Sequence, residues 1–119
     1  MFAELLDSFL NKVEGALGAV VMGMDGISIE KRLSDNDTNI EALAAEYTTL
    51  LRASSATTQE MSLGCLEELI VSAGTRIIAI RMITPEYFLF VLLSKDGNIG
   101  RARFELRKAK YALKKELVI

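Results

Sequence analysis

NIEALAAEYTTLLRASSATTQEMSLG, residues 39–64, is the stretch that fixes how everything else must pack. Asp37 or Thr38 can cap its start, because a short side-chain oxygen accepts from an unpaired N–H of the first turn. Gly64 is placed to end it, as a left-handed residue commonly closes a helix. Between them Ile40, Leu43, Tyr47, Leu50, Leu51 and Met61 recur mostly at steps of three and four, which predicts an amphipathic helix. The opposite face is unusual. Where Lys and Glu are expected, Ala42, Ala45, Thr49, Ala53 and Ala56 line up with few charges among them. One explanation is tolerance of alanine on a wet helix, since alanine has the best helix propensity. Against it, Thr48, Thr49, Thr57 and Thr58 are mediocre helix formers, so propensity did not select the run. The better explanation is a second face that is buried or touches a partner.

The totals bound the rest. A chain of 119 residues holds one domain, residues 1–119, and 50% hydrophobic content supplies an ample core. The formal charge of −2 argues against a generally basic nucleic-acid binder, though not against a local patch. With one Cys and no His, an internal disulfide and a Cys/His zinc site are both excluded, and no cofactor or metal is expected. No apolar run approaches the roughly twenty residues that span a bilayer. The opening MFAELLDSF has acids where a signal peptide carries basic residues. A single-domain cytoplasmic protein, away from membranes, is the expectation.

Outward from the long helix, Phe2 to Glu14 predicts a first helix, with Phe2, Leu5, Leu6, Phe9, Leu10 and Val13 inward and Gly15 ending it. Ala16 to Gly23 is apolar without alternation, as in a strand covered on both faces. Met24-Asp25-Gly26 turns the chain into Ile27–Arg32, an alternating, edge-like strand. After Gly64, Cys65–Ser72 predicts a second edge-like strand, Arg76–Ile83 a further strand, and Tyr87–Leu93 a central one. A final helix presents Ile99, Ala102, Leu106, Ala109, Leu113 and Leu117 to the core. Strands apolar on both faces require helices on both sides. The predicted fold is an α/β protein, a three-layer α/β/α sandwich of order αββαβββα around a five-stranded antiparallel sheet.

Enzyme chemistry finds no support. No His exists to activate a serine, and no Ser stands in an elbow motif. Glu67 and Glu68 beside Cys65 would raise a thiol pKa, so Cys65 reads as a small core residue at a corner. Gly15, Gly18, Gly23 and Gly26 flank a hairpin and lack the Gly-Lys-Ser/Thr ending of a phosphate loop. Asp25 and Asp96 precede glycines, which is turn chemistry. The last helix is the charged exception. Arg101, Arg103, Arg107, Lys108, Lys110, Lys114 and Lys115 face only Glu105 and Glu116, with Phe104 and Tyr111 opposite the Leu106–Leu113 stripe. Through Arg103, Phe104, Arg107, Lys110 and Tyr111 this helix offers an alternative function, a nucleic-acid or acidic-partner binding module. Cations also favour a helix's C-terminal half, and aromatics pack on neighbours, so a protein contact is preferred over nucleic acid.

The apolar strand and hairpin Gly18-Ala-Val-Val-Met-Gly-Met-Asp-Gly-Ile-Ser-Ile29, with the Ala/Thr-rich helix and the element order around it, resembles the Roadblock/dynein light chain family, and its bacterial MglB-like branch most. The resemblance covers nearly the whole chain. It implies a profilin-like fold and a homodimer whose long helices pair and whose third strands meet edge to edge. It further implies a platform for a small Ras-like GTPase, whose hydrolysis some members accelerate without an arginine finger. The implied platform is Ala42, Ala45, Thr49, Arg52, Ala53 and Ala56. The implied pairing edge runs from Leu66 to Val71, with Leu66, Glu68 and Ile70 at the contact. Phe104, Arg107 and Tyr111 stand as a secondary contact. MglB-like proteins often carry extra terminal segments that this chain lacks, which leaves scaffolding beside a GTPase-activating role.

Overall fold

The computed structural model describes residues 2–34 and 38–117. Its elements run α1 (Phe2–Lys12), β1 (Ala16–Gly23), β2 (Ser28–Leu33), α2 (Ile40–Glu60), β3 (Glu68–Ser72), β4 (Arg76–Thr84), β5 (Tyr87–Ser94) and α3 (Ile99–Leu117). The strands form one sheet in the order β2-β1-β5-β4-β3, antiparallel throughout. The three strands whose residues are mostly buried, β1, β4 and β5, therefore lie inside, and the two short, half-exposed ones lie at the edges, where unpaired backbone can meet water.

Side-chain alternation divides the core into two layers. Ala19 and Val21 of β1, Ile77, Ala79 and Ile83 of β4, and Leu89, Val91 and Leu93 of β5 point to one face. There Leu6 and Phe9 of α1 and Ala102, Leu106 and Leu113 of α3 cover them. Val20, Met22, Ile78, Ile80, Met82, Phe88, Phe90 and Leu92 point to the other face, under α2. The expected sandwich is present. Two helices sit on one side and one on the other, so α2 alone guards its layer.

α2 departs from its sequence reading at both ends. Asn39 is the cap, its side chain accepting from the Ala42 N–H at 3.1 Å; Asp37 lies outside the described residues. The helix stops at Glu60, four residues before Gly64. Ser62 adopts the left-handed conformation (φ 59°), with Ser62 N donating to Gln59 O and Leu63 N to Thr58 O. Those two bonds satisfy terminal carbonyls, so the stop is made by a serine in the place where glycine usually serves. Met61 and Leu50 also leave the predicted core stripe, being 68% and 45% exposed. The buried residues are Ile40, Ala44, Thr48 and Leu51, and small Ala44 lets the helix lie close on the sheet. The Thr48 hydroxyl donates to Ala45 O at 2.8 Å, which satisfies it in place.

Smaller corrections follow from turns. α1 ends at Lys12, before Glu14. Cys65 is exposed rather than in the core, because the chain from Met61 to Glu67 runs over the surface before β3 begins at Glu68. Pairing between β1 and β2 slips at Val21/Met22, leaving Ile29 across from no partner and 39% exposed.

Glu41 ties β2 to α2. Its carboxylate accepts from the Lys31 ammonium and the Ser28 hydroxyl. These bonds, Lys31 first, hold its pKa below the ordinary glutamate value despite an opposing effect of burial. The contact therefore stabilises the fold above the unfolded glutamate pKa, and that contribution disappears as pH falls through the lowered value. With the Glu41 side chain 39% exposed, solvent keeps the effect small. Glu41→Gln is expected to lower the melting temperature slightly at neutral pH and to match the parent in strong acid. Melting curves across the acid range check this; equal curves at neutral pH would dismiss the contact.

Candidate interaction surface

At 100° per residue, Ala42, Thr49, Ala53 and Ala56 fall opposite the Ile40–Ala44–Thr48–Leu51 stripe, with Ala45 and Arg52 on the flank toward the β1–β2 turn. The structure brings these six together on the outward face of α2; Ala45 is half-buried and the other five are exposed. Arg52, the one charge among them, donates from Nη2 to Met24 O at 2.8 Å. Its head is thereby drawn to the β1–β2 turn. A Cβ on Gly26 in that turn would sit 3.9 Å from the Ala45 Cβ, so turn and helix are close neighbours. The face is thus made mostly of small side chains, with Glu46 and Glu60 exposed on the same side, and is buttressed at one edge by the turn.

Sequence reasoning missed the apolar residues that border this face. Leu50, Met61 and Leu63 are 45%, 68% and 74% exposed, and Ile27 in the turn is 66% exposed. Exposed large apolar side chains gathered around one element mark a protein contact more often than isolated ones do. The signal was present in sequence: Met61 and Leu63 follow the last helical turn, and Leu50 sits a quarter turn off the core stripe.

At the β3 edge the predicted residues separate. Leu66 precedes the strand and packs, half-buried, against the α2-side core. Ile70 is 37% exposed and lies on the strand proper. Glu68 is held from within: its carboxylate lies 2.8 Å from Arg103 Nε of α3 and 3.4 Å from Arg81 Nη1 of β4. That pairing neutralises an edge charge and leaves the outer backbone of β3 unpaired within the subunit.

A cleft of about 550 Å³ opens beside the C-terminal half of α2, lined by Arg52, Ser55, Ala56, Gln59, Leu66, Met82 and Pro85 among others. Lys110 and Lys114 reach it from α3. Phe104 and Tyr111 project outward from α3 as the sequence predicts, 46% and 69% exposed, with Arg107 exposed between them. They lie on the far side of the sheet from α2, so the secondary contact is not contiguous with the α2 face. Among the described residues no acid or thiol cluster could hold a metal ion, and no helix is long and apolar enough to cross a membrane.

Comparison with known proteins agrees with the fold. The crystal structure of MglC from Myxococcus xanthus is 32% identical in sequence, covering 97% of this chain and 98% of that one at a TM-score of 0.72. MglB from Thermus thermophilus, a gliding protein, shares the fold at a TM-score of 0.85, with 15% identity over 95% of this chain and 85% of that one. The uncharacterized protein MJ1340 of Methanocaldococcus jannaschii is 29% identical over 105 residues, 88% of this chain and 90% of its own length. Residues 2–94 match the Roadblock/LC7 domain, and the chain belongs to that family.

Proposed function

We propose that the protein is a homodimeric regulator or scaffold of a small Ras-like GTPase in the cytoplasm, acting without catalytic residues of its own. The observation that carries this reading is the outward face of α2, a surface of small side chains set opposite the buried stripe. A 21-residue helix is about 30 Å long, enough for two copies to pair closely along alanines and threonines. The open edge of β3 then continues the sheet into the twin. The paired helices, the β1–β2 turns and the exposed Leu50 form the platform on which the GTPase sits. From there the protein works by holding the switch segments of the GTPase in one arrangement, which either favours hydrolysis or fixes the bound state.

Both parts are open to test. Bulk and charge cannot enter a close-packed small-residue face, so Ala45→Arg and Ala53→Arg are each expected to give monomer in sedimentation equilibrium. An unchanged dimer for both would remove the paired-helix arrangement. The wild-type dimer mixed with the Ras-like GTPase of its own cell should co-elute in at least one nucleotide state. Failure with both GTP and GDP forms would remove the GTPase.

A further inference from the structure

The outer face of α3 is untouched by that reading and has a construction of its own. Of the chain's 14 cations and 16 acids, α3 holds seven and two. At helical spacing Arg101, Phe104, Arg107, Lys108, Tyr111 and Lys115 share the side turned away from the sheet, and all six are exposed. The two acids are absent from that side. Glu116 lies on the flank, and Glu105 is turned inward and 4% exposed.

Glu105 is the informative residue. A buried carboxylate is costly unless cations accompany it. Here Arg101 Nη2 lies 3.1 Å from one oxygen and Lys108 Nζ 3.8 Å from the other. The Arg101 N–H is not aligned on Oε2, which accepts no hydrogen bond among the described residues. The attraction nevertheless fixes where both cations stand. Their heads lie 5.8 and 5.4 Å from the centre of the Phe104 ring. Phe104 is thus an exposed aromatic held between two cations that a buried acid anchors from beneath. Tyr111 repeats the exposed ring two turns on.

We infer that this face is a second docking surface, and that its occupant is an acidic polypeptide segment carrying apolar side chains. Carboxylates on such a segment meet Arg107, Lys108 and Lys115, while its apolar side chains cover Phe104 and Tyr111. Aromatic and Arg residues at the centre of a contact carry most binding energy in protein interfaces. Lys12 of neighbouring α1 lines a pocket with Lys108 and so extends the cationic side, while Glu68 toward β3 is already paired with Arg103 and Arg81. The rings of Phe104 and Tyr111 set among these cations favour a segment with apolar side chains beside its carboxylates over a partner that offers charge alone. The surface is on the opposite side of the sheet from α2, so both can be occupied at once.

The test uses a fluorescein-labelled peptide rich in Glu and Asp that carries two Leu, followed by anisotropy at low and high salt. The full-length protein is expected to bind it, more weakly as salt rises. Phe104→Ala with Tyr111→Ala, and separately Arg107→Glu with Lys115→Glu, should each weaken binding by about tenfold or more. All four side chains are exposed, so the variants should keep the parent melting curve and oligomeric state. That retention separates failure here from failure of the α2 dimer. A peptide with Lys in place of the acids should not bind. The proposal is overturned if the acidic peptide does not bind, if both double variants bind it as tightly as the parent, or if oligothymidylate or phosphatidylserine vesicles bind more tightly.

Discussion

Replacing Gly15 with alanine is expected to destabilise the protein by about 2–5 kcal/mol, the sum of two separate penalties. Gly15 has φ +86°, and a side chain in that region costs about 1–2 kcal/mol. A Cβ there would also lie 2.4 Å from the Gly97 Cα and 2.7 Å from the Ser94 hydroxyl. The first of those neighbours is backbone and cannot swing aside. It is pinned by its surroundings: Ser94 N donates to Gly15 O at 2.8 Å, Gly97 N to Ser94 O at 3.0 Å, and Asn98 N to Glu14 O at 2.9 Å. Relieving the overlap means parting the α1–β1 junction from the β5–α3 junction, at about 1–3 kcal/mol. Two other glycines serve as controls. Gly64 has φ +91° but open space around its Cβ position, so Gly64→Ala should cost only about 1–2 kcal/mol. Gly74 has neither obstacle, and Gly74→Ala should lie within about 0.5 kcal/mol of the parent. Urea unfolding of the three variants would show the order; Gly15→Ala no worse than Gly64→Ala would refute the steric part.

Phe90→Ala is expected to cost about 3–5 kcal/mol, a large share of the roughly 5–15 kcal/mol that holds an ordinary domain together. Phe90 is fully buried on the α2 side of β5, paired between Val20 of β1 and Ile80 of β4. Its ring lies 5.9 Å from that of Tyr47, tilted by 46°. Because a single helix covers this layer, few side chains can shift to fill the space, and the cavity term should stay near its full size. Leu50→Ala, on the covering helix α2, is the counterpart. With Leu50 45% exposed, its loss should cost the subunit less than about 1 kcal/mol. A lower urea midpoint with unchanged slope for Phe90→Ala would confirm the packing role. Equal costs at the two positions would mean that α2 is seated differently.

These contrasts also show what the residues disclose in advance. β1, β4 and β5 are legible because a strand covered twice must be apolar twice, and α1 and α3 because their stripes are unbroken. α2 is legible as a helix, and the outward run of Ala and Thr is legible too, because Thr48, Thr49, Thr57 and Thr58 are poor choices for propensity alone. Its inner contacts are harder. Weighting large side chains placed Leu50 and Met61 in the core, whereas the close approach to the sheet selects Ala44 and Thr48. The helix end was hidden because Ser62 takes a conformation that sequence reasoning reserves for glycine. Glu105 could be counted among the charges of α3, but only the packing of α1 against α3 decides that it turns inward. The pairing of Glu68 with Arg103, 35 residues away, has no local mark at all.

The place of β5 between β1 and β4 has a consequence for how the chain is made. β1 and β2 leave the ribosome early as a hairpin, yet the inner edge of β1 finds its partner only when Phe88–Leu93 emerge. Until then a strand of Ala, Val and Met presents unpaired amides and an apolar flank to the cell. Pairing across so long a loop is slow compared with helix formation, so the interval between synthesis of β1 and of β5 is when this protein is most exposed to aggregation and most dependent on chaperones.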